Sequence, residues 1–429
     1  MLRLFRAVIV FAITLEARAV LKKYRPDIVA VTGSVGKTST KDAIYTVLRE
    51  VYFVRKSEKS FNSEIGIPLA ILGCPNAWNN PLRWLRNLLS GLGVIFFSNH
   101  YPKWLVLEVG ADRPGDIKKI ASWMRPSVVV MTWIPAIPVH VEFFKTPADL
   151  VVEKSHLLAA LKEGGVAVMC DDDETVRNLA LPLGSKRISF GFNHGADFLG
   201  ANESVLYEEG RPAGMSFRID YRGGSVPMIL RGVLGRQHLY PALAAAAVGV
   251  TRGLTLVAAA QALQTHEPPP GRMRLILGKN GSTIIDDSYN SSPKAAEEAL
   301  RVLEGLTTSG RKIAILGDML ELGSFSPEEH RRIGVIAASS ATELWTVGVR
   351  AKMIGESAHA AGLLKKHIRH FDASLEAGVA LAKTLEEGDV VLVKGSQSIR
   401  MERVVAAAMQ NPAAREKLLV RQEKEWKKR

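Results

Sequence analysis

Cysteine is almost missing from this chain of 429 residues: Cys74 and Cys170 are the only two. They make no disulfide framework and no Cys-x-x-Cys metal clasp, and their scarcity fits a reducing cytoplasm. Long apolar runs are missing too. None reaches the roughly 20 residues a membrane-spanning helix needs, which excludes a polytopic membrane protein. Solenoid-type repeats are absent. Apolar residues make up 47% and charged residues 23%, the balance of a folded globular protein rather than a disordered or collagen-like chain. The length allows roughly three domains.

Acid is scarce at both ends. Residues 1–25 carry Arg3, Arg6, Arg18, Lys22, Lys23 and Arg25 against Glu16, a net +5. Residues 415–429 carry seven bases against Glu416, Glu423 and Glu425, a net +4. The whole chain is +13, so its body is close to neutral and no nucleic-acid groove is expected. The basic ends read as solvated tails or as contacts to a membrane surface. Residues 4–15, LFRAVIVFAITL, are apolar behind a basic start. They are too short to span a bilayer, and no small-residue cleavage site follows before Lys22-Lys23. Residues 1–26 are expected to form a helix that docks on the protein or lies on a membrane.

The body alternates strands with helices. IVAVTG, WLVLEVG (104–110), SVVVMTW (127–133) and GVAVMC (165–170) are short apolar runs with helical stretches between them. This predicts a parallel, doubly wound sheet over 27–268. Between Ile188 and Leu234 the texture is broken by Gly, Asn and Pro, which predicts a small antiparallel sheet appended to it. Pro241–Thr251 is alanine-rich and helical. Glu267-Pro268-Pro269-Pro270-Gly271 is a linker. Beyond it STIIDDS, KIAILGD, ELWTVG and DVVLVKG predict a second, Rossmann-like α/β domain over 271–429.

The strongest chemical signal is Thr32-Gly33-Ser34-Val35-Gly36-Lys37-Thr38-Ser39-Thr40, between a strand and a helix. Such a loop aims backbone N–H groups and a helix N-terminus at an anion. Gly33, Ser34, Val35, Gly36, Lys37, Thr38 and Ser39 are the expected phosphate contacts. The full pattern GxxxxGK[ST] needs glycine at position 31, where Val31 stands, so only its later half matches. Glu108 ends the strand WLVLE, and a carboxylate there reaches the carboxyl edge where open α/β sheets bind ligands. His140 and Lys154 signal little alone: a single histidine is more often structural, and a single lysine is usually solvated.

Taken in order, TGSVGKTST, LEVGADRPGDI, His140 with Lys154 in VEKSHLL, GRMRLI, IIDDSYNSSP, ILGDMLELG and VKGSQSIRMERVV resemble the Mur ligases. The resemblance is nearest to the type that adds D-alanyl-D-alanine to a UDP-N-acetylmuramoyl-tripeptide in peptidoglycan precursor synthesis. It implies an ATP-dependent amide ligase working through an acyl phosphate. It implies that Lys37 contacts the outer phosphates, that Thr38 and Glu108 hold one Mg²⁺, and that His140 and Lys154 serve a second. A lysine cannot ligate Mg²⁺ as an ammonium, and in the family this lysine is carbamylated, which Lys154 is expected to share. Arg272 would approach the phosphates from the second domain, and Asp287 would hold the ribose. His330, Lys394 and Arg400 sit in family-like strings, where they line the acceptor site or only cap strands and helices.

Several features depart from the family pattern. Only about 30 residues precede Gly33, too few for the small domain that binds the UDP-sugar. The expectation is that the donor is held differently, or by a separate chain. The family's Gly-x-His-Asn-x-x-Asn beside the adenine reads Gly235-Arg236-Gln237-His238-Leu239-Tyr240-Pro241, leaving His238 or Tyr240 to stack on the base. Ser292 stands where asparagine is usual. Residues 74–102 are an insertion whose Leu82, Leu85, Leu88, Leu89 and Leu92 fall at helical spacing. They read as an extra helix packed on the domain, or as a membrane or substrate-docking element. Two other functional readings stay open: a related ligase for a lipid-linked or folylpolyglutamate-like pair, and a nucleotide-binding scaffold without catalysis.

Overall fold

The computed structural model describes residues 2–58, 61–78, 80–98, 100–135, 143–423 and 426, with backbone only for residues 2–5. His140 lies outside the described residues. The first sheet has nine strands: β1 (Asp27–Thr32), β2 (Val54–Lys56), β3 (Trp104–Glu108), β4 (Val128–Met131), β5 (Val166–Cys170), β6 (Lys186–Gly191), β7 (Phe198–Glu208), β8 (Arg211–Tyr221) and β9 (Gly224–Arg231). Their order is β2-β3-β1-β4-β5-β6-β7-β8-β9. Strands β3, β4 and β5 are buried along their whole length, as a parallel sheet covered on both faces requires.

The three antiparallel strands join this sheet through the β6–β7 pairing and continue it. Their burial alternates, so one face is solvated. Both hairpins turn on two left-handed residues, Glu209-Gly210 and Arg222-Gly223, the two-residue turn that matches strand twist.

The second sheet is β10 (Arg274–Leu277), β11 (Thr283–Asp287), β12 (Lys312–Gly317), β13 (Glu343–Val347), β14 (Ile368–Phe371) and β15 (Val390–Lys394), in the order β10-β11-β15-β12-β13-β14. Only β10 is antiparallel to its neighbour. The two units are stitched beside the linker: Leu234 N–H donates to Met273 O at 3.2 Å and Leu275 N–H to Gly232 O at 2.9 Å.

Six helices build the crevice and its flank: α1 (Leu2–Tyr24), α2 (Lys37–Leu48), α3 (Gly66–Leu72), α4 (Pro81–Phe96), α5 (Asp116–Ala121) and α6 (Pro147–Ala159). Helix α1 buries Ile9, Ile13, Ala17 and Val20 in the core and packs on α3 and α4. The expected docking on the protein is therefore present. The leucines of α4 are the surprise. Only Leu88 packs against the core, while Leu82, Leu85, Leu89 and Leu92 are exposed.

Candidate active site

Strand β1 is the switch point of the first sheet, with β3 on one side and β4 on the other. Chains leave such a point in opposite directions, which opens a crevice at the carboxyl ends of the strands. The loop after β1 fills it. Gly33 has φ +136, and a Cβ there would lie 2.0 Å from Thr132 Oγ1, at the end of β4. The loop is fixed when Ser34 N–H and Val35 N–H both donate to Trp133 O, at 2.8 and 3.1 Å. Gly36 turns the chain with φ 83 into α2. The first N–H groups of a helix have no intrahelical acceptors, and those of Lys37, Thr38 and Ser39 border the cleft. Ser34 Oγ is buried there without a hydrogen-bond partner. A loop with an orphaned hydroxyl and a helix N-terminus fits a phosphate.

Glu108 closes the far wall. It is buried, and its two oxygens are held separately: Oε2 accepts from Thr38 Oγ1 at 2.9 Å and Oε1 from Asn62 Nδ2 at 3.1 Å. Two cations flank it. Lys37 Nζ donates to Ser34 O at 3.3 Å, and burial pushes this ammonium below the ordinary lysine range. Lys154, on α6, is buried, and its Nζ donates to Gly33 O at 2.8 Å. Burial, then the nearby Lys37 charge, holds it well below the ordinary range. Helix α6 is set by a capping box between Thr146 and Asp149 with Pro147 in the first turn. Its Glu153 accepts from Gly115, Ile117 and Lys118 N–H and so ties α6 to the start of α5.

The second unit contributes the opposite wall of a cleft of about 1050 Å³. Arg272 lies 4.2 Å over the Tyr289 ring and close enough to Lys37 to repel it. Asp287 Oδ1 accepts from Met273 N–H at 3.2 Å, and Oδ2 meets the buried Lys394 Nζ at 2.6 Å. His238 is buried beside this pair, and burial lowers it to about 4. Between His238 and Pro241, the positions of the family's two asparagines, Tyr240 donates to Asp172 Oδ2 at 2.7 Å. Its ring meets Trp133 and Phe192 edge-on, at 5.6 and 5.2 Å. Arg236 covers Phe192 at 4.4 Å and pairs with Glu203.

Lys37, Thr38, Glu108, His238, Arg272 and Asp287 thus border one cleft, with Lys154 behind the loop. Of the three residues given alternative roles, Lys394 and Arg400 line the cleft. Arg400, at φ 60, pairs with Glu402 and donates to Trp426 O. His330 is not at the cleft. It is fully buried, its Nε2 accepts from Met319 N–H at 3.0 Å, and Nδ1 meets Ser326 O at 2.7 Å. Its role is to hold the turn after β12. The sequence reading missed Asn62 and Trp133. Asn62 sits in an irregular loop with no motif around it, and Trp133 acts through its backbone carbonyl, which no side chain advertises.

Residues 31–81 and 87–249 match the Mur ligase middle domain, and residues 271–397 match the Mur ligase, glutamate ligase domain. The UDP-N-acetylmuramoyl-tripeptide–D-alanyl-D-alanine ligase of Bacillus subtilis is 28% identical over 397 residues, covering 92% of this chain and 79% of that protein. The ligase of the same name from Escherichia coli is 28% identical over 389 residues, covering 90% and 77%. The crystal structure of a MurF ligase from Thermotoga maritima in complex with ADP superposes with a TM-score of 0.76 at 27% identity, covering 95% of this chain and 84% of that one. With both family domains matched in order and the phosphate loop, strand-end carboxylate and buried lysine in one crevice, this chain belongs to the Mur ligase family of ATP-dependent ligases.

Proposed function

We propose that this enzyme joins D-alanyl-D-alanine to a UDP-N-acetylmuramoyl-tripeptide in the cytoplasm, with cleavage of one ATP. The observation that carries the reading is the cleft itself. It presents a phosphate loop, a hydroxyl–carboxylate pair and two cations, Lys37 and Arg272, to one space between two domains, 27–268 and 271–429, with Lys154 behind the loop. ATP gives its γ-phosphoryl group to the donor carboxylate. The acceptor amine attacks the acyl carbon, and phosphate leaves with the carboxylate oxygen. The hard part is crowding anions together, and fixed cations offset that repulsion.

Gly33 to Ser39 hold the triphosphate, and Lys37 and Arg272 neutralise its outer charge from opposite walls. Asp287 accepts the ribose hydroxyl protons, with Lys394 keeping its carboxylate in place. The base sits against Tyr240 and His238. The Thr38 hydroxyl and Glu108 carboxylate, 2.9 Å apart, are the hard oxygen donors that Mg²⁺ takes alongside phosphates. Mg²⁺ bound there would neutralise phosphate charge during transfer. Lys154 as an ammonium does not fit a metal. Burial lowers its proton affinity, which favours the amine form that takes up CO₂, and the carbamate would supply oxygens for a second ion, with His140 as the other ligand that the family resemblance implies. Because the walls come from both sides of the linker, closure precedes chemistry.

The test is phosphate release from Mg·ATP with UDP-muramoyl-tripeptide, with and without D-alanyl-D-alanine, beside a Lys154→Ala control. Release that requires both substrates and vanishes in the control supports the reading. ATP that binds and is never cleaved, with lipid-linked donors also tried, defeats it.

A further inference from the structure

Helices α1 and α4 lie side by side and run in the same sense. Glu16 faces Gly91, where a Cβ would fall 2.0 Å from Glu16 Oε2. One to two turns on, Lys23 Nζ donates to the carbonyls of Val94, Ile95 and Phe97 at 3.2, 2.8 and 2.6 Å. The Tyr24 hydroxyl adds a bond to Val94 O at 3.0 Å. A cation from α1 therefore caps the C-terminus of α4 and ties the two helices together.

The outer surface of the pair is unusual. On α4, Leu82, Leu85, Leu89, Leu92 and Phe96 fall within an arc of about 80°, opposite the buried Trp84 and Gly91. They are 76%, 55%, 61%, 41% and 76% exposed, and the next residue, Phe97, is 71% exposed. Helix α1 adds exposed Val8, Phe11 and Leu15 at i, i+3 and i+7. These nine side chains expose on the order of 1,000 Å², against the few hundred Å² of the largest apolar patch on an ordinary monomer.

The charge on this surface is mostly positive, with Glu64, which pairs with Arg6 at 3.4 Å, as an acid at its edge. From Ile65 to Leu107 the sequence has no Asp or Glu, while Arg83, Arg86 and Lys103 are there. The sole acid of α1, Glu16, is buried against α4, and Arg6, Arg18, Lys22 and Lys23 are exposed. Among the described residues neither helix shows an exposed carboxylate. A second copy would bring the same positive rim against itself, which opposes pairing. An anionic bilayer offers acyl chains to the stripe and phosphates to the rim.

We propose that α1 and α4 form a docking surface for an anionic lipid bilayer, with the leucine–phenylalanine stripe at the acyl boundary and the arginines and lysines at the headgroups. No helix among the described residues is long and apolar enough to cross a membrane, so the attachment is peripheral. It sets this ligase at the membrane surface, and it stands independently of which amide is made.

The test is flotation of the full chain with vesicles containing roughly a third phosphatidylglycerol in phosphatidylcholine, and with phosphatidylcholine alone. The protein is expected to float with the anionic vesicles at least about tenfold more than with the neutral ones. A Leu85→Glu/Leu89→Glu/Phe96→Glu variant is expected to stay at the bottom while keeping its melting temperature and its lipid-free ATP cleavage. Arg83→Gln/Arg86→Gln should lower binding to anionic vesicles several-fold. Wild-type protein that does not float overturns the proposal, and so does a triple variant that floats as well as wild type. Sedimentation velocity showing a dimer that the triple variant dissolves would assign the face to a second copy instead.

Discussion

Replacing Glu16 by glutamine should remove a pH dependence that is local to the α1–α4 unit. Glu16 is 8% exposed, and its Oε2 has no hydrogen-bond partner. Burial raises its carboxyl from 4.5 to about 7. A raised acid is protonated when α1 is docked and ionised once it opens, so docking weakens as pH rises from 4.5 to about 7 and stays weak above that. Between pH 5 and 8 the difference in proton occupancy, integrated over pH, amounts to about 2–3 kcal/mol, on the order of 100-fold in the opening constant. Glutamine does not titrate, so its variant should show none of this change, although its buried amide costs a constant amount at every pH. Hydrogen exchange of the amides in residues 9–20, corrected for intrinsic rates, reads the opening constant directly. A wild type and a Glu16→Gln variant with the same pH slope would refute this coupling, whatever their absolute protection.

Gly33→Ala places a methyl 2.0 Å from Thr132 Oγ1 and 2.9 Å from Thr132 O at φ +136. Phosphate release should fall about 100-fold, and adding Thr132→Ala should not restore it, because the backbone clash and the left-handed φ remain. Lys394→Met leaves Asp287 buried without its cation and should cost about 3–5 kcal/mol in urea unfolding of the second domain, most of it recovered by adding Asp287→Asn. Removing CO₂ should lower ligase activity of the wild type and bicarbonate should restore it. The Lys154→Ala variant should be inactive with or without bicarbonate, and a ¹³C-carbamate signal should appear in the wild type alone.

The parallel strands were legible because strands covered on both faces must be apolar throughout. IVAVT, WLVLE and VVLVK each read as a buried run, and each ends at the cleft. The phosphate loop was legible because a strand, two glycines and a lysine leave the backbone few alternatives. Three features were not. The leucines of α4 have helical spacing whether they face the core or solvent. The core side of that helix is instead occupied by Trp84, Asn87 and Gly91, whose small and polar members hide the pattern. His330 looks like a site residue in a family-like string, yet its two nitrogens are taken by Met319 and Ser326. Asn62 and the Trp133 carbonyl act through contacts made across long sequence separations, which no local pattern encodes.

Everything proposed for the cleft depends on one step: the donor carboxylate is phosphorylated before the amide forms. Donor labelled with ¹⁸O in its reacting carboxylate, supplied with Mg·ATP and D-alanyl-D-alanine, tests it directly. The expected result is amide product with one ¹⁸O in each phosphate released. Phosphate free of the label would mean that water, not the carboxylate, had taken the γ-phosphoryl group, and would contradict it.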